Sequence, residues 1–100
     1  MILHTVNKSP FEKNSLESCL AHAQKGSAVL LIEDGVLGAV KGSRAACDLE
    51  KAMGDITLYA LEGDLKARGL ADKVMDGIKL VGYDGFVDLA VEHDKVQAWL

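Results

Sequence analysis

The run Ala28-Val29-Leu30-Leu31-Ile32 constrains this chain most, because a strand of consecutive apolar residues has no polar face to turn toward water. Apolar side chains on both sides of the pleat must be covered on both sides. That is the situation of a strand inside a parallel sheet flanked by helices. Glu33-Asp34-Gly35 ends the run with turn-forming residues.

The rest of the chain alternates around this segment. Ile2 to Val6 reads as a first strand. Two helix starts follow it. Ser9-Pro10-Phe11-Glu12 offers a cap serine, a proline at the first helical position and a glutamate at the third, and Asn14-Ser15-Leu16-Glu17 pairs Asn with Glu three residues on. Leu16, Cys19, Leu20 and Ala23 then recur at helical spacing, and Lys25-Gly26 supplies the stop. Gly35 to Gly42 is a short helix or a turn, and Ser43 stands where it would cap a helix ending near Met53-Gly54. Ile56 to Leu61 reads as the next strand, Asp64 to Gly69 as a helical turn with loop, and Ile78 to Val81 as a fourth strand. Asp84 is placed to cap a last helix through Phe86, Val87, Leu89, Ala90 and Val91, with Val96 to Trp99 as a short edge strand. This rhythm predicts one α/β domain over residues 1–100, a flavodoxin-like three-layer sandwich around a mainly parallel sheet of four to five strands. It does not set the strand order.

Composition bears on what covers the core. Hydrophobic residues make up 49 % of the chain and aromatics only 5 %, so the core is built from aliphatic side chains. A mean hydropathy of +0.12 is high for a small domain, whose surface is large for its volume, and points to apolar surface covered by a partner chain. The net charge is −4 and the 11 basic residues are dispersed among acids. Direct binding to nucleic acid needs a concentrated basic footprint and is not expected. No segment approaches the ~20 apolar residues of a membrane span. No leader pattern opens the chain, so a reducing cytoplasm with free thiols is the expectation.

Few motifs carry chemistry. Gly35, Gly38 and Gly42 follow a strand but make neither GxGxxG nor a P-loop, and read as turn and packing glycines. His4, His22 and His93 are far apart in sequence, without the spacing of a zinc site, and neither a metal nor an organic cofactor is expected. No GxSxG elbow supports hydrolysis. Cys47, in Ala45-Ala46-Cys47, reads as a small packing residue. Cys19 falls on the apolar side of the first helix, which suits an inert buried thiol, although His22, three residues on, could approach it and favour the thiolate. Trp99 either caps its own core or anchors a subunit contact.

Ile2-Leu3-His4-Thr5-Val6-Asn7-Lys8-Ser9-Pro10 resembles the start of the DsrH/TusB family of sulfur-relay subunits. So do Glu33-Asp34-Gly35-Val36, Asp64-Leu65-Lys66-Ala67-Arg68-Gly69-Leu70, Phe86-Val87-Asp88-Leu89 and Val96-Gln97-Ala98-Trp99, in the same order and at a matching length. Asn14 to Leu20, with Cys19, resembles the DsrH branch of sulfur-oxidising bacteria. TusB-type members, which serve 2-thiolation of the tRNA wobble uridine, typically lack a cysteine there. The resemblance implies a cytoplasmic subunit of DsrE-like fold, assembled with DsrE-like and DsrF-like chains into a heterohexamer. That complex would pass persulfide sulfur toward a DsrC-like carrier in dissimilatory sulfur oxidation. The resemblance also implies that the main active cysteine lies on the DsrE-like partner, which leaves open whether this chain is itself an enzyme. Cys19 is then the candidate persulfide carrier here. A thiolate that takes the outer sulfur of one persulfide and surrenders it to the next thiolate needs no cofactor. The other readings are a structural subunit without sulfur chemistry of its own and a TusB-like subunit for tRNA wobble-uridine 2-thiolation, the latter disfavoured by Cys19.

Overall fold

The computed structural model describes residues 2–99. Its centre is a five-stranded sheet, β1 (Ile2–Val6), β2 (Ala28–Leu31), β3 (Thr57–Leu61), β4 (Lys79–Val81) and β5 (Lys95–Trp99). The strands lie in the order β4-β3-β2-β1-β5 and every pairing is parallel. Between them run the helices α1 (Ser15–His22), α2 (Arg44–Ala52), α3 (Glu62–Ala67) and α4 (Tyr83–Glu92), and a 3₁₀ helix over Glu33–Ala39. The order differs from that of flavodoxin in that the last strand, not the second, lies on the free side of the first.

Handedness explains which helix goes where. From β1 to β4 the chain advances across the sheet in one direction, and right-handed crossovers keep α1, α2 and α3 on one face. The step from β4 to β5 runs back the other way, so the same handedness sends α4 to the opposite face. The two cores follow from this. The larger joins Val6, Val29, Leu31, Leu58 and Ala60 of the sheet to Leu16, Cys19, Leu49 and Leu65 of the helices. The smaller joins Leu3, Ala28 and Leu30 to Leu89 of α4. The apolar run of β2 divides between them by alternation, and all four of its strand residues are buried. Val29, Leu30 and Leu31, each removed from water, contribute about 1.5–3 kcal/mol apiece.

Local signals were right in some places and displaced in others. Ser43 caps α2, its hydroxyl accepting the Ala46 N–H at 3.1 Å. Ser9-Pro10 does not start a helix. Its turn closes when Glu12 and Lys13 both donate to the Ser9 carbonyl, and α1 begins only after Asn14, whose side chain makes no cap bond. The third helix starts at Glu62, directly from β3, rather than at Asp64. The last starts at Tyr83 after an extended Gly82, so Asp84 lies in its first turn and is not its cap. In both cases an acid marked the first turn but not the residue that enters it. Val96 to Trp99 does form an edge strand, beginning one residue earlier at Lys95. It pairs with β1 in the register Leu3↔Val96 and Val6↔Trp99.

Candidate functional site

Cys19 sits on the inward side of α1, with 0 % of its surface exposed, in the larger core. Helical spacing places it one turn beyond Leu16, and α1 lays both against the face of the sheet that carries Val6 and Val29. Burial alone pushes its thiol up to about 12, because the charged thiolate would lose its water without a compensating cation. His22 does not supply that cation. Its Nδ1 lies 2.8 Å from the Ser18 carbonyl, and its ring packs against Trp99 with centroids 5.8 Å apart.

Trp99 closes the same core at the sheet edge. Its indole N–H donates to Nδ1 of His4 at 3.0 Å, across the pairing of β5 with β1. His4 must therefore be neutral, with its proton on Nε2. Burial lowers its pKa from 6.5, since an imidazolium there would be poorly hydrated. Trp99 thus packs, partly buried, against its own core. The three histidines do not converge. His4 and His22 flank Trp99, while Nδ1 of His93 bonds the Leu89 carbonyl at 2.7 Å. Among the described residues no three His, Cys, Asp or Glu side chains gather as a metal site requires.

A polar cluster at the carboxyl ends of the strands went unrecognised as a unit in the sequence. Glu33 has φ of 49°, in the left-handed region that a non-glycine residue enters only when its surroundings hold it there. Its N–H donates to Oδ2 of Asp64 at 2.6 Å. Arg68 reaches back to Asp34, its Nη2 and Nε donating to one carboxylate oxygen at 2.9 and 3.2 Å. The same guanidinium donates to the Asp64 carbonyl at 3.1 Å. Gly35 follows directly, and only glycine fits there, because a Cβ would lie 2.1 Å from the Val6 carbonyl oxygen. The cluster ties the end of β2 to α3 and holds no thiol. Its two halves are the separate segments Glu33-Asp34-Gly35 and Asp64–Arg68, and their spacing gave no sign that they meet. The side-chain oxygen of Asn7, at the end of β1, is buried without a hydrogen-bond partner among the described residues.

Cys47 is exposed on α2, not packed. The stripe Ala45, Ala46 and Leu49 turns to the core, which leaves Cys47 beside Asp48 and Lys51 in water. An open groove of about 440 Å³ separates the start of α2 from the loop before α1, lined by Phe11, Lys13, Glu17, Arg44 and Asp48. Its mixed charges and lack of a nucleophile single out no ligand. No helix among the described residues is long and apolar enough to cross a membrane.

A family model described as "DsrH like protein" matches residues 8–96. Protein TusB of Pectobacterium atrosepticum is 36 % identical over 98 residues, covering 98 % of this chain and 100 % of its own. Protein TusB of Erwinia tasmaniensis is 41 % identical and that of Escherichia coli 39 %, each over 98 residues with the same coverage. Among solved structures, the ychN protein from E. coli superposes with a TM-score of 0.81 at 18 % identity, covering 97 % of each chain. MTH1491 from Methanobacterium thermoautotrophicum follows at 0.71 and 17 %, covering 97 % of this chain and 96 % of its own. At such identities the structural likeness speaks for the fold alone.

Proposed function

The chain belongs to the DsrH/TusB family of sulfur-relay subunits, and from that premise we propose that it is a structural subunit of a cytoplasmic relay complex, not itself a sulfur carrier. The burial of Cys19 is the observation that carries this reading. Taking sulfur from a persulfide requires a thiolate with an open approach. A thiol at 0 % exposure with a pKa near 12 offers neither. The main transfer then belongs to a cysteine on a DsrE-like partner, with a DsrF-like chain completing the oligomer. This chain supplies a rigid α/β surface and shapes docking for a DsrC-like carrier.

Persulfide loading tests this in the assembled complex. The complex is incubated with a persulfide donor and each chain is weighed intact. Any single-sulfur adduct on this chain is expected on exposed Cys47, so it disappears in Cys47→Ser and persists in Cys19→Ser. The opposite pattern would restore Cys19 as a carrier and sink the structural reading.

We favour the TusB-like role, supply of sulfur for 2-thiolation of the tRNA wobble uridine, because curated relatives covering the whole chain are TusB proteins. Sulfur oxidation is the second reading, and the cysteine in Asn14–Leu20 is what speaks for it. That signal weakens once Cys19 serves as a core-filling side chain, since packing alone accounts for a small apolar thiol there. Deleting the gene and measuring thiolated wobble uridine by nucleoside mass spectrometry separates the two. Loss of the thiolated base supports the first reading; unchanged thiolation with impaired sulfur oxidation establishes the second.

A further inference from the structure

The outward side of α4 is apolar along its length. Tyr83, Val87 and Val91 lie at i, i+4 and i+8, and they are 69, 61 and 80 % exposed, although the helix already buries Leu89 against the sheet. Helical spacing puts Asp84, Asp88 and Glu92 one position on from each, so an acidic row runs along one flank of the apolar stripe. On the same face of the sheet Val96 of β5 is also exposed, next to the buried Leu3 of β1. A helix covered by water alone carries polar residues on its outer side. Here the outer side is the kind of surface that a second chain covers.

We propose that the outer side of α4 is the docking face for an unlike protein chain whose own apolar ridge is flanked by lysine and arginine. This rests on the reading of the chain as one subunit of a hetero-oligomer and names the surface that subunit would use. Charge decides against a second copy of the same chain. A dyad perpendicular to α4 lays each acidic row beside the other, where like charges repel. A dyad along α4 sets each acidic row against the opposite flank of the other helix, where Phe86 and Ala90 lie. Two copies at −4 each also repel at long range. A partner with a basic flank meets both needs, the stripe forming the dry centre and the acidic row a paired rim.

The test uses the intact chain and its DsrE-like and DsrF-like chains from the same organism, purified and mixed at low salt. The variants are Val87→Asp in the stripe and Asp88→Lys in the row, both at exposed positions, with thermal unfolding to show that each folds. The expected result is at least a tenfold loss of affinity for Val87→Asp. For Asp88→Lys, affinity falls and its dependence on salt becomes weaker, whereas Glu50→Gln on α2 binds like wild type. Unchanged affinity in both α4 variants overturns the assignment while leaving the subunit reading intact. No complex even with wild type overturns the subunit reading and this one with it. A homodimer of wild type that Val87→Asp dissolves makes the occupant a second copy and overturns the proposal.

Discussion

Iodoacetamide labelling of the Cys47→Ser chain isolates Cys19 as the sole thiol and puts its burial to a quantitative test. Alkylation proceeds through the thiolate, so its rate follows the ionised fraction. A shift from 9.0 to about 12 lowers that fraction by three powers of ten, and at about pH 7.5 leaves about three thiolates in a hundred thousand. With no exposed surface, even these react only when the core opens. An opened chain presents an ordinary thiol, but a domain stable by about 5 kcal/mol or more is open about one part in five thousand or less. Both routes therefore predict labelling at least ~1000-fold slower in buffer than in urea, where the chain is unfolded. Intact mass against time measures both rates, and wild type should take one rapid label, on Cys47. If native Cys47→Ser chain labels within about tenfold of its unfolded rate, Cys19 is reached by solvent without unfolding. The core placement and the structural reading built on it would then both be wrong.

Two further outcomes follow from the packing. Gly35→Ala forces a methyl group into the Val6 carbonyl and should destabilise by more than about 2 kcal/mol, whereas Gly63→Ala, in open space on α3, should stabilise by about 0.5–1 kcal/mol; urea midpoints showing similar effects for the two would refute the close approach. His4 is held neutral, its folded pKa below the unfolded 6.5, so the unfolded chain takes up the proton first; stability is full above about pH 7 and is lost as pH falls through 6.5 toward the folded value, by up to ~1.4 kcal/mol per pH unit. Urea unfolding between about pH 7.5 and 5.5 should show a shallower loss for His4→Gln than for wild type, and equal slopes would exclude His4 as the source.

The sheet was legible because its signal is local. Five apolar residues in a row at Ala28–Ile32 admit few arrangements, and the alternating helices leave a parallel sheet as the natural solution. Ser43 was legible for the same reason, since a cap needs only its own neighbours. Asp84 misled because an acid in the first turn and an acid at the cap look alike in sequence. The core position of Cys19 could be read from its spacing, but its 0 % exposure depends on β1, β2 and α2 packing around it. Nothing local could foresee that Arg68 meets Asp34, because the contact exists only once α3 is docked. The outer stripe of α4 was hidden by its own composition: Phe86, Val87, Leu89, Ala90 and Val91 mark a helix without showing which of them face inward, and the fold covers only part of them.

The bond between Trp99 and His4 joins residues 95 positions apart, the first strand to the last. During synthesis β1 emerges early, and its outer edge stays bare until β5 has left the ribosome. An unpaired edge on a partly made sheet is open to pairing with the wrong chain. The closing contact is also of the most distant kind in sequence, the kind that forms slowly. Nascent chains of this protein would therefore be at their stickiest until β5 is in place. A cell that makes it in quantity has reason to supply a chaperone, or a waiting partner subunit, until then.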